Sequence, residues 1–119
     1  VVETAIALPL LVFIVFASIE SCNAIFLKQT AASAAYEAAK IASNTGGTQL
    51  AANTRATEVL MARGITNATV TFDPALQENW GRGVMLSTTV SIPTTNNLGG
   101  TNFLFRGQPV SVKTVMVKQ

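Results

Sequence analysis

Glu3 and Glu20 are the side chains best placed to do electrostatic work, because they bracket residues 5–19, AIALPLLVFIVFASI, a run without a single charge. They stand 17 residues apart, which at about 100° per residue puts both within about 20° of the same side of a helix. A carboxylate beside that much apolar surface must be paired or must reach water. For Glu3 the positive end of the helix dipole offers one mate. A cation offers another: its own Val1 amino group, or the Val1 of a neighbouring copy stacked with an axial stagger. Glu20 reads either as a residue at a membrane boundary, wetted by interfacial water, or as a paired charge inside a helix bundle with a neighbour's Lys28 as partner.

Little else in the chain suggests reaction chemistry. There is no His and a single Cys among 119 residues, which removes Ser/His and Cys/His nucleophile pairs, thiolate cages and an internal disulfide. No Walker loop, GxGxxG, CxxC, HExxH or GxSxG is present. The acids Glu37, Glu58, Asp73 and Glu78 read as solvated groups on helix faces or in a loop, so the expectation is no enzyme, no cofactor and no metal. Cys22 reads as a small apolar side chain, with lipidation or an intersubunit disulfide as the alternatives. The net charge of +2 with scattered basic residues argues against nucleic acid as a partner. Beyond residue 20, eight basic residues face four acids, so that part is modestly basic.

These residues need a long rod to position them. The chain is 49% hydrophobic and 12% charged, but the apolar content is concentrated at the front. Continued through Leu27, the run reaches membrane-spanning length. The Ala-rich KQTAASAAYEAAKIAS that follows has no Gly or Pro, so one helix is expected over about residues 4–43, roughly 60 Å long and twice a bilayer core. Pro9 interrupts it, and a kink or loosened turn is expected there. Ala31, Ala35, Ala38 and Ala42 place small side chains on one side, a seam that lets another backbone approach closely. The opening Val in place of Met is expected to reflect processing or truncation.

The remainder reads as an α+β unit. Ser43 to Thr48 forms a turn in which Gly46 and Gly47 can end the helix and Thr48 can cap the next. Residues 49–63 read as a second, shorter helix closed by Gly64, its Ala-rich side able to lie on the first. Period-two alternation then marks strands at 68–72, 84–92 and 109–117, with residues 102–105 as a less regular fourth, giving an antiparallel sheet of three or four strands. Trp80, in the loop at 73–83, either folds back over the sheet or serves as a surface contact, an adhesive or intersubunit anchor. Asn67-Ala68-Thr69 matches a glycosylation sequon, a pattern frequent by chance. Residues 1–45 are expected to form the rod and 46–119 an exposed second unit.

The segment VVETAIALPLLVFIVFASIESCNAIFLKQTAASAAYEAAKIAS resembles the N-terminal region of TadE-like proteins, pilin-like minor subunits of tight-adherence (Tad) pili within the type IV pilin-like superfamily. The resemblance rests on the acid before the apolar run, Leu-Pro-Leu at 8–10, Ile19-Glu20, and Gln29-Thr30 ahead of the Ala-rich helix. It covers residues 1–45 well, the second helix moderately, and the sheet only in architecture. It implies a membrane-inserted precursor, leader removal by a prepilin peptidase, and extraction from the inner membrane into a surface filament by an ATPase-driven machine. In such proteins the early Glu pairs with the amino terminus of an adjacent subunit, and Glu3 is the matching position. Two departures stand out. The acid is third rather than fifth, so either two residues precede Val1 in the mature chain or cleavage falls elsewhere, and Thr4 replaces the Tyr usual in the small major pilins.

The expectation is therefore a structural subunit that assembles with copies of itself into an extracellular filament at a bacterial surface, after residing in the inner membrane. Its rivals are a minor priming or tip pseudopilin outside the shaft, and a single-pass envelope protein whose sheet binds a partner.

Overall fold

A computed structural model of the chain describes residues 1–93 and 109–119. The first helix, α1 (Val2–Ser43), runs unbroken through Pro9. A tight turn leads to α2 (Gln49–Ala62), and three strands follow, β1 (Thr69–Asp73), β2 (Met85–Ile92) and β3 (Val110–Val117). They form an antiparallel sheet in the order β1-β2-β3, with Val70 opposite Val90 and Val90 opposite Val112. The fold is α+β, as expected. The fourth strand expected at 102–105 lies outside the described residues. Overall extents of 70 × 22 × 18 Å follow from one long helix carrying a small head on its distal half.

The head is built around that half of α1. On one side α2 folds back antiparallel, so that Arg55 meets Glu37 at 3.4 Å and Arg63 lies 5.8 Å from the Phe26 ring. The sheet covers α1 elsewhere with its inward residues Phe72, Leu86, Val90 and Ile92, all buried. β2 alternates as its sequence requires: Leu86, Thr88, Val90 and Ile92 point in, while Ser87, Thr89 and Ser91 are only partly covered.

The turn between the helices divides its labour between two glycines. Gly46 takes φ +78°, the left-handed conformation a side chain resists. Gly47 is needed for a different reason, because a Cβ there would collide with the Ile41 carbonyl. Thr48 then caps α2, its Oγ1 accepting from the Ala51 amide at 3.1 Å. At the other end of α2, Gly64 takes φ +72° and closes the helix.

One contact has no counterpart in the sequence pattern. Lys118, just beyond β3, is buried, and its Nζ donates to the carbonyls of Ala42, Asn44 and Gly47 at 2.8, 2.7 and 3.3 Å. The Gln119 amide donates to the Ser43 carbonyl at 2.8 Å. The Ala42 and Ser43 carbonyls at the end of α1, which no helical amide can reach, are thus taken up by the Lys118 ammonium and the Gln119 amide, and the ammonium stands at the negative end of the dipole. The sheet is thereby clasped to the end of the rod.

Two substitutions test this packing. Thr88 is fully buried, and among the described residues its Oγ1 has no hydrogen-bond partner. Thr88→Val is therefore expected to raise stability by about 1 kcal/mol, seen as a higher Tm of the detergent-solubilised protein. A lower Tm would show that the hydroxyl is bonded. Lys118→Met keeps the aliphatic stem but removes the charged donor, leaving the Ala42 carbonyl without it while that of Asn44 keeps the Gly47 amide, and denaturant titration should show a loss of about 2 kcal/mol.

Candidate assembly interface

Along the first half of α1 no other helix among the described residues lies alongside, and side chains on every side face outward. Ile6, Leu10, Phe13, Val15, Ile19 and Ile25 are all substantially exposed. The helix contains an 18-residue window apolar enough to cross a membrane, and 0% of that window is buried within the chain. A helix apolar all round is stable only inside lipid or among other apolar helices, because water penalises each exposed face. The exposed rod, about half of α1, is thus an interface that calls for a hydrocarbon or protein surround.

Glu3 stands at its tip, exposed, in the first turn of α1. Among the described residues it forms no ion pair, with its own Val1 or with any other cation. Of the two cationic mates weighed for it, the amino group of its own subunit is therefore not engaged. Val1 itself is fully exposed, and its carbonyl accepts from the Ala5 amide at 3.1 Å.

Glu20 requires a correction. It is fully buried within its own chain, so neither a neighbour's Lys28 nor interfacial water reaches it. The reason is helical phase. Leu27, Ala31 and Ala38 follow Glu20 by 7, 11 and 18 residues, which places them within about 20° of it around the axis. Glu20 is the first member of the stripe that the head covers. Lys28 lies off that stripe and is exposed.

The alanine seam is corrected for the same reason. Ala31, Ala35, Ala38 and Ala42 are all fully buried in the core of the single chain, together with Ala34, Ala52 and Ala56. The close approach their size permits is that of α2 and the sheet of the same subunit, so they are not an intersubunit surface. Trp80 is corrected likewise. It is buried, its ring centroid 5.5 Å from that of Phe72, and its Nε1–H donates to the Pro74 carbonyl at 2.8 Å. With both the ring and its donor satisfied inside the head, Trp80 is not available as a surface contact.

Some contacts escaped the sequence reading. Arg55 bridges Glu37 on α1 and Glu58 on its own helix, although its 44% side-chain exposure makes this an ordinary surface link. Arg63 over Phe26 joins the end of α2 to the end of the apolar run. An open groove of about 570 Å³ between α2 and β1 is lined in part by Leu60, Met61, Ile65 and Val70, with Asn67 at φ +59° among them. Among the described residues no group of three His, Cys, Asp or Glu side chains could hold a metal ion.

The chain is thus a bare apolar rod with a small α+β head fastened to its far half. Residues 1–40 match the family model described as TadE-like protein, a stretch that takes in the whole exposed rod and most of the helix beneath the head. The match is consistent with a pilin-like protein associated with the Tad pilus, a family whose members are structural rather than enzymatic. No curated protein and no solved structure was found to match the chain.

The reassignment of the alanines has a direct test. Ala38→Leu inserts three carbons where α1 has no free volume and should cost about 2 kcal/mol or more in the isolated subunit. Fluorescence of the sole Trp, Trp80, would report unfolding of the head at lower denaturant. An unchanged detergent-solubilised subunit that only failed to assemble would restore the seam to the subunit surface.

Proposed function

We propose that this chain is a pilin-like structural subunit of a bacterial surface filament. Its apolar rod serves first as an inner-membrane anchor and then as part of the filament core. Residues 1–45 supply the anchor and core, and residues 46–119 decorate the outside. By likeness to TadE-like proteins, a prepilin peptidase and an ATPase-driven inner-membrane machine act before assembly, and the finished filament serves surface attachment. The observation that carries this reading is the rod that its own subunit leaves bare.

Lipid tails and the flanks of sister rods are comparably apolar, so moving the rod from one to the other changes its hydrophobic free energy little. Side-chain packing and the pairing of charges then decide the direction. Glu3 is the charge with most to gain. Exposed at the tip and without an ion-pair partner among the described residues, it is uncompensated in hydrocarbon, and it acquires a cationic mate on an adjacent copy when the rods stack, the amino group of Val1 being the one within reach of a staggered neighbour.

The test is Glu3→Gln beside Glu3→Ala, with the subunit expressed together with its assembly machinery. Both variants are expected to insert and fold as before, with Trp80 fluorescence unchanged. Sheared filament yield should fall by at least about tenfold, the loss expected when one partner of a desolvated pair is removed. Filaments of normal yield and length in both variants would sink the pairing. Persistence of the wild-type protein solely in detergent-extractable membrane would sink the filament reading itself.

A further inference from the structure

The side of α1 turned away from Glu20 stays uncovered along the whole helix, behind the head as well as along the bare rod. Tyr36 stands about 160° from Glu20 around the axis and is 51% exposed. Leu11, Ile14, Ile25, Gln29 and Ala32 lie within about 40° of its phase. Leu11, Ile14 and Ile25 are half exposed or more, Gln29 is exposed, and Ala32 is partly covered. Between Glu3 and Lys40 the helix carries three charges, Glu20, Lys28 and Glu37. Glu20 is on the opposite side, while Lys28 and Glu37 flank Tyr36 at about 80° and 100° to either side. The stripe between them is free of charge over the roughly 38 Å from Leu11 to Tyr36. An uncharged middle with charges at its margins suits a protein interface.

Lipid accounts for only the first part of that stripe. With hydrocarbon reaching as far as Leu27, Tyr36 stands roughly 14 Å beyond it, past a headgroup layer about 5–8 Å deep. A cover for the stripe behind the head therefore comes from protein. The rod of a second copy has the matching requirements. It is apolar on every side and its own subunit leaves it bare, and the stripe behind the head continues, unbroken by charge, from the one that faces sister rods lower down.

We propose that the back of α1 behind the head, centred on Tyr36, is the surface on which the rod of a second copy lies. The inference rests on the filament reading above and names a surface that covers part of the rod. Ala32 and Ser33 are small enough to let the second helix approach, and the Tyr36 ring lies against it. For parallel copies, any axial offset between roughly 14 and 47 Å brings residues 5–27 of the neighbour level with Tyr36. This neighbour is more widely offset than the one whose Val1 reaches Glu3. Rod and back are different patches of one chain, so the contact is heterologous. With an axial offset at each step it repeats into an open array and cannot close into a ring.

The full chain is expressed with its assembly machinery, carrying a benzophenone amino acid in place of Tyr36 or, as a rod control, of Val12, and sheared filaments are irradiated. Position 36 is expected to give covalent dimers whose linkage falls within residues 5–27 of the second copy. Tyr36→Ala should lower filament yield about fivefold or more, the effect of truncating an aromatic anchor, and Tyr36→Phe should restore it. The Trp80 unfolding midpoint of the detergent-solubilised subunit should not fall in either variant, because the ring is half exposed and Ala suits a helix. Dimers from position 12 with none from position 36 overturn the proposed surface and leave the filament reading standing. Linkage from position 36 to residues 46–119 of a copy, or to a different protein, overturns it equally, as does normal filament yield in Tyr36→Ala. Absence of the wild-type chain from sheared filaments overturns both readings.

Discussion

Everything in this molecule is arranged around a rod whose first half its own chain does not cover. The penalty for apolar surface in water is non-directional and scales with area, so a helix exposed on every side cannot be stabilised by a small local adjustment. It needs a complete apolar surround from outside the subunit. The head leaves that half bare because α2 and the sheet are both committed to the distal half, where the alanine stripe lets them approach closely. One helix therefore carries two solvents' worth of requirements along its length, and the boundary between them falls near Leu27, where continuous burial begins.

Glu20 shows how that boundary is managed. A carboxylate at its level would be costly against lipid, yet it shares its angular position with the stripe the head covers, and it is enclosed by its own chain. Glu3 has nearly the same phase but lies far beyond the head's reach, so it remains exposed. Two acids of the same type on the same side of one helix therefore differ in role purely by axial distance from the head.

Period and punctuation made the elements readable in the sequence. Both helices, the Thr48 cap, the Gly64 stop and the three strands are local patterns, and each appears within a residue or two of where the pattern places it. What the pattern could not supply was the identity of the partner across each buried face. A stripe of Ala31, Ala35, Ala38 and Ala42 announces close approach but not whether the approaching backbone belongs to the same chain. Trp80 in a loop is compatible with either a buried or a displayed ring until Phe72 and the Pro74 carbonyl are seen beside it. Lys118 was invisible for a stronger reason, since nothing about a lysine following a strand tells of the carbonyls 71 to 76 positions earlier that receive it.

That clasp also sets an order of events. Contacts between residues so distant in the chain close after local ones, because the loop between them must first surrender its freedom. The helix can be complete, and lodged in hydrocarbon, while its far carbonyls still bind water. Only when β3 arrives with Lys118 behind it does the cap change hands from solvent to ammonium. A subunit interrupted before that moment would possess a finished anchor and an open head, two halves of one molecule maturing on separate clocks.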